Sequence, residues 1–189
     1  MANYRAVTTV CEAVIYLLKT SHNPEQFSDS PLDFRVGLPR EADPMSSGVS
    51  LSLYRIYPNS NPRTPAGRIE SDGRRYRTQL PVDLHFFLTA WGKDASLQHT
   101  IAGWMMRTME DNPILPANVL NSVGQDVFKA DEAVEIHIAE LSNDELFRIW
   151  EKMTDMPYHL SIPYAARNVR IESDHLLADI KTVRERKFD

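Results

Sequence analysis

The stretch Leu80–Trp91 (LPVDLHFFLTAW), closed by Gly92, limits the possible folds more than any other part of the chain. Val82, Leu84, Phe86, Leu88 and Ala90 share one parity, and Asp83, His85, Phe87, Thr89 and Trp91 share the other. A period of two sustained over this length is a β-strand with one face on a core. The second parity is itself partly apolar, which makes the strand a central one covered on both sides. The rest of the chain therefore reads as what pairs with this strand or packs on it.

Val49–Tyr57 is its first partner, with Val49, Leu51 and Leu53 on one face and Ser50, Ser52, Tyr54 and Ile56 on the other. Between the two strands lies Pro58–Gln79, rich in proline, glycine and arginine. Two strands joined by a long polar tip form an antiparallel pair carrying an extended arm, not a tight turn. Val134–Ile138 and Leu160–Ile171 alternate in the same way, and Pro163 points to a sheet edge or a bulge. Leu32–Leu38, inside a proline-rich connection over residues 24–47, can add a short strand.

Other segments repeat with a helical period. Val7, Val10, Cys11, Val14, Leu17 and Leu18 mark a first helix, ended by Pro24. Asp94 is a suitable N-cap for a second, which carries Leu97, Ile101, Trp104 and Met105 inward. A short amphipathic piece spans Asn118–Val123. Ser142 and Glu145 form a capping box ahead of a helix with Leu146, Ile149, Trp150 and Met153 inward. His175–Lys187 reads as a terminal helix with Leu176, Leu177, Ile180 and Val183 on one side. The expectation is a single α+β domain over residues 1–174 and a helical extension over 175–189. The domain has a mostly antiparallel or mixed sheet of four to five strands, helices packed on one face, and a long Arg-rich hairpin arm.

At 189 residues the chain is long enough to bury a core as one domain. Its net charge of −5 argues against a general nucleic-acid binder. The single cysteine, Cys11, excludes an internal disulfide and sits in an apolar helical pattern, as a buried reduced thiol would. Neither a signal-peptide pattern nor an apolar run of spanning length is present, so no membrane insertion is expected and assembly is placed in a reducing cytoplasm.

Motifs for phosphate cradles, dinucleotides, zinc proteases or serine hydrolases are missing, and no catalytic residue, cofactor or metal is expected. The nearest approach to a site pairs Asp83/His85 on one strand with Glu135/His137 on another, each at i, i+2 and so on one face. Adjacent strands would bring these together as a metal or acid–base site, whereas a solvated or locally hydrogen-bonded face has the same pattern. Charge is more telling. Residues 58–79 carry Arg63, Arg68, Arg74, Arg75 and Arg77 against Glu70 and Asp72, a net of +3, while residues 110–145 carry a net of −8. Opposite patches of this kind suit a head-to-tail contact, with the arm of one subunit on the acidic side of the next. Only Tyr76 is interleaved with the arginines, which gives no stacking platform for nucleic acid. The terminal helix, through Leu176, Leu177, Ile180 and Val183, either caps the core or reaches a neighbouring chain.

Three strings in order, residues 49–63 (VSLSLYRIYPNSNPR), 74–92 (RRYRTQLPVDLHFFLTAWG) and 111–116 (DNPILP), resemble the tail-terminator, or cap, family of phage-tail-like contractile injection systems of the anti-feeding prophage and virulence-cassette type. Residues 140–171 (ELSNDELFRIWEKMTDMPYHLSIPYAARNVRI) are similar to the same family, and the likeness covers residues 4–172. The resemblance implies a non-enzymatic structural subunit that forms a homo-hexameric ring on the inner tube and sheath. Such a ring ends tube growth and anchors the last sheath layer, as a component of the tail-like particle. Another tube or baseplate adaptor of such a particle is the alternative, and a small metal-dependent enzyme is the alternative of a different class. The arm arginines are the residues expected to meet partners.

Overall fold

A computed structural model of the chain describes residues 2–27, 31–37, 45–59, 69, 73–155 and 157–177. They form four helices and one six-stranded mixed sheet. The helices are α1 (Ala6–Ser21), α2 (Ala95–Asp111), the single turn α3 (Ala117–Leu120) and α4 (Asn143–Met153). The strands are β1 (Asp33–Val36), β2 (Gly48–Pro58), β3 (Leu80–Trp91), β4 (Ile114–Pro116), β5 (Ala133–Ile138) and β6 (Ser161–Ile171), in the spatial order β1-β2-β3-β6-β5-β4. Six strands replace the expected four to five. The extra strand is β4, three residues long and too short to show a period. All pairings are antiparallel except β1 on β2, which makes the sheet mixed. The parallel contact depends on Gly48, whose φ is +144° and whose missing Cβ would collide with the Asp33 backbone.

β3 lies in the middle, as its two-sided pattern requires. Its first face is the core: Val82, Leu84, Phe86, Leu88 and Ala90 pack with Val49 and Leu51 of β2, Val134 and Ile136 of β5, and Tyr164, Ala166 and Val169 of β6. Val10, Val14 and Leu18 of α1, Ile101 and Met105 of α2, and Leu120 of α3 close over them. Cys11 is buried in this layer, and burial raises its thiol pKa to about 12, well away from reactivity. Asp94 caps α2 by accepting the Leu97 N–H at 2.8 Å, and the Ser142/Glu145 capping box opens α4 as its spacing indicates. Gly92 lets the chain leave β3 directly into α2, since a Cβ there would lie 2.5 Å from the Gln98 nitrogen.

Two corrections concern the faces of the sheet. α4 does not join the other helices. Trp150 meets Tyr158 and His159, and His159 lies 4.4 Å from Trp91 on the second face of β3, so helices cover both sides of the sheet. The long strands also do not alternate throughout. β2 inserts Tyr54 between the pairs Leu53–Phe86 and Arg55–His85. β6 sets Arg167 and Asn168 against the single residue Asp83, between the pairs Val82–Val169 and Leu84–Ala166. Each β-bulge reverses the parity beyond it. Ile56 therefore shares a face with Leu84, not with Tyr54 as expected, and Val169 enters the core in place of Asn168. Pro163 lies neither in the bulge nor on an edge, because β6 runs between β3 and β5. β5 has ended at Ile138 beside it, and the Pro163 carbonyl accepts the Ala139 N–H at 2.9 Å.

Candidate interface on the second sheet face and the arm base

The second face begins, at the Trp91 end of β3, as a closed polar–aromatic layer. The Trp91 indole N–H donates to the Ser50 hydroxyl at 2.8 Å, and the Thr89 and Ser161 hydroxyls bond each other at 2.8 Å, all buried. Tyr54, made available by the β2 bulge, stacks on Phe87 at 4.6 Å. Among the described residues its buried hydroxyl finds no hydrogen-bond partner, and burial pushes its pKa upward.

Beyond Phe87 the layer opens into a groove of about 930 Å³ between α4 and the sheet. Its floor is one cross-strand row, Arg55 on β2, His85 on β3, Ala165 on β6 and His137 on β5, each residue directly opposite the next. Four strands at the usual spacing make this row about 14 Å long. Arg167 stands beside it, and Ile149, Lys152 and Met153 of α4 form the facing wall. Burial lowers the pKa of both histidines, and Arg55 and Arg167 add to the effect at His85, Arg167 at His137.

The i, i+2 pairs of the sequence therefore do meet on one face, yet not as a metal site. β6 separates β3 from β5, with the methyl of Ala165 between the imidazoles. Asp83 is occupied by the bulge: its carboxylate accepts the Asn168 backbone N–H at 2.8 Å and the Asn59 amide at 3.1 and 3.3 Å. Among the described residues no cluster of three or more His, Cys, Asp or Glu is arranged to hold a metal ion.

The arm is described only at its base. Arg63 and Arg68 lie outside the described residues, and Arg74, Arg75 and Arg77 are exposed. The residues beyond β6 do not begin a helix at His175 as expected. Residues 175–177 are extended and run antiparallel to residues 75–77: Tyr76 bridges Leu176, the Arg77 N–H donates to the His175 carbonyl at 2.9 Å, and the Leu177 N–H donates to the Arg75 carbonyl at 2.7 Å. Leu176 and Leu177 stay exposed at this junction, while Ile180 and Val183, with the rest of the expected helix, lie outside the described residues. Part of the acidic stretch is used locally. Asp111 pairs with Arg107, Asp144 with Arg148 at 2.9 Å, Glu132 accepts the Lys129 N–H, and Glu145 serves the capping box.

The groove residues Tyr54, Arg55, Ile149, Lys152 and Arg167 had no motif to announce them. The one usable sign is the parity break at Leu53-Tyr54, where the apolar phase of β2 slips by one residue.

An α+β sheet domain closed by helices on one face and grooved on the other, with its charged side chains offered along the groove and the arm base, is the class of structure these features define. Residues 9–185 match the Pvc16 N-terminal domain family, and the chain belongs to that family. Among solved structures it is similar to the PVC sheath/tube terminator of an extracellular contractile injection system in its extended state, with a TM-score of 0.63 and 16% identity over 96% of this chain and 62% of that one. It is also similar to the tube-terminating cap of the anti-feeding prophage, with a TM-score of 0.62 and 16% identity over 95% of this chain and 60% of that one. The chain thus spans about three fifths of the length of the terminators it matches. No curated protein sequence matches it. Among the described residues no helix is long and apolar enough to cross a membrane.

Proposed function

We propose that the chain is a structural cap, a tail terminator, of a phage-tail-like contractile injection system. It ends the inner tube and anchors the last sheath layer, and it acts by binding without turnover. The observation that carries this reading is the family match over residues 9–185, supported by a common fold with two terminators over nearly the whole chain. Ring formation as a homo-hexamer on the tube end, assembly in the cytoplasm and release with the particle complete the proposal. One domain over residues 1–174 carries the fold, and residues 175–189 extend it. In this reading Arg63, Arg68, Arg74, Arg75 and Arg77 contact the neighbouring subunit or the tube, and Leu176, Leu177, Ile180 and Val183 present an apolar surface beside them. Opposite charge on two sides of a subunit favours a head-to-tail contact that closes into a ring.

Electron microscopy of particles assembled without this chain tests the function. Tubes of unregulated length or sheaths that detach at the distal end are expected. Particles of normal length with stable sheaths would refute the cap reading.

A further inference from the structure

We propose that the groove between α4 and the second sheet face is a receptor for a peptide segment of another protein, one that presents an acidic side chain flanked by apolar ones. The floor row Arg55–His85–Ala165–His137 supplies the polar half of this site. Ala165 is its one small member and is itself buried, so the two imidazoles border the centre of the floor, with Arg55 at one end of the row and Arg167 beside it. Among the described residues neither guanidinium has a carboxylate within ion-pairing distance, and Arg55 rests over the Tyr57 ring at 4.6 Å.

Two of the four acidic groups nearby are committed. Glu145 is held in the capping box and Asp83 in the β6 bulge. Glu135 is opposite Arg167 in the register without an ion pair to it, and Glu140 lies on the rim. A carboxylate entering the groove above the histidines meets the Arg55 and Arg167 guanidiniums, which offer charge-assisted hydrogen bonds.

The other half is the facing wall, where apolar side chains flank Lys152. Ile149 and Met153 of α4 and Ile138 of β5 line the wall, and α4 buries only Trp150 completely, so its apolar side is not used up by the chain's own core. A groove that joins apolar side chains to two guanidiniums outside any ion pair among the described residues selects a mixed sequence over a purely acidic or purely apolar one. At about 14 Å the row accommodates four to five extended residues, roughly 3.3 Å each. This inference is independent of the cap reading: it concerns what the groove recognises, whatever assembly the chain belongs to.

A phage-displayed library of random 12-residue peptides, selected on the purified full chain, provides the test. Enriched peptides are expected to share an Asp or Glu with apolar neighbours. As synthetic fluorescein-labelled peptides they should bind R55E/R167E about tenfold or more weakly, in line with the loss of a charge-assisted bond. Ile149→Asp should weaken them as well. Both arginines are exposed, so circular dichroism of R55E/R167E should match the parent, and R55Q/R167Q provides a milder version for the same comparison. Three results would overturn the proposal: no enrichment of groove-dependent peptides, enriched peptides without an acidic residue, or binding unchanged in both double variants. Loss of self-association in R55E/R167E, without loss of peptide binding, would instead make the groove a contact between copies of the chain and would equally overturn it.

Discussion

Replacing Asp83 by alanine should cost the fold about 2 kcal/mol, because this carboxylate holds the β6 bulge open. Where β6 sets Arg167 and Asn168 against one residue of β3, the ladder cannot satisfy the extra N–H, and the Asp83 carboxylate takes it at 2.8 Å. Asn168 is left-handed at φ +56°, a conformation asparagine tolerates better than other residues with a Cβ. Hydrogen bonds to a charged acceptor are worth about 1.5–3 kcal/mol, and the Asn59 amide adds about 0.5–1. Water reaches Asn168 and recovers part of this, which leaves about 2 kcal/mol. With a urea m-value of about 2 kcal/mol/M, the midpoint of unfolding should fall by about 1 M. Tryptophan fluorescence follows the transition, since Trp91, Trp104 and Trp150 are all at least half-buried. Asp83→Asn keeps the acceptor oxygen and should lose about half as much. Asn168→Gly should be close to neutral, while Asn168→Ala should cost about 1 kcal/mol. A midpoint shift below about 0.25 M for Asp83→Ala, or equal losses for Asp83→Asn and Asp83→Ala, would show that the bulge does not depend on this carboxylate.

Two further outcomes follow from the same face and from the arm base. Burial holds the pKa of His85 and His137 below the ordinary 6.5, with Arg55 and Arg167 adding to it and Asp83 and Glu135 acting against it. The unfolded chain therefore binds more protons than the folded one below about pH 6.5, and stability falls as pH drops through that value towards the folded pKa. His85→Gln/His137→Gln should show a smaller change in urea midpoint between pH 7.5 and 5.5 than the parent, and an unchanged difference would remove these histidines from the acid response. Truncation after Asp174 deletes both backbone hydrogen bonds that join residues 75–77 to residues 175–177, so amide exchange at Arg77 should accelerate at least tenfold while the β3 core stays protected. Unchanged protection at Arg77 would mean that the arm base is ordered without the C-terminal segment.

Much of this fold was legible because its central strand carries two messages at once. The apolar parity of β3 called for a core, and Phe87 and Trp91 on the other parity called for a second cover, which Tyr54 and His159 supply, with α4 joined through Trp150 against His159. What could not be read was which helix goes to which face, since α1 and α4 have similar apolar spacing and the choice depends on connections outside either helix. Strand order was hidden too. Asp83/His85 and Glu135/His137 look like one site only if β3 and β5 are adjacent, and the insertion of β6 between them turns a supposed ligand set into a row with an alanine at its centre.

The bulges were present in the sequence as parity breaks. In β2 the apolar phase runs Val49, Leu51, Leu53 and then resumes at Ile56, and in β6 it runs Ile162, Tyr164, Ala166 and then resumes at Val169. These breaks link the core to the groove. Leu53 and Arg55 have the same parity, so a strand of strict period two would set both side chains on the core face or both on the groove face. Only the extra residue Tyr54 allows Leu53 to pack against the core while Arg55 stands opposite His85 on the groove floor. An exposed guanidinium next to an apolar core is thus a consequence of the same one-residue insertion that offers the Tyr54 ring to Phe87, and the groove and its aromatic end are set by a single irregularity in β2.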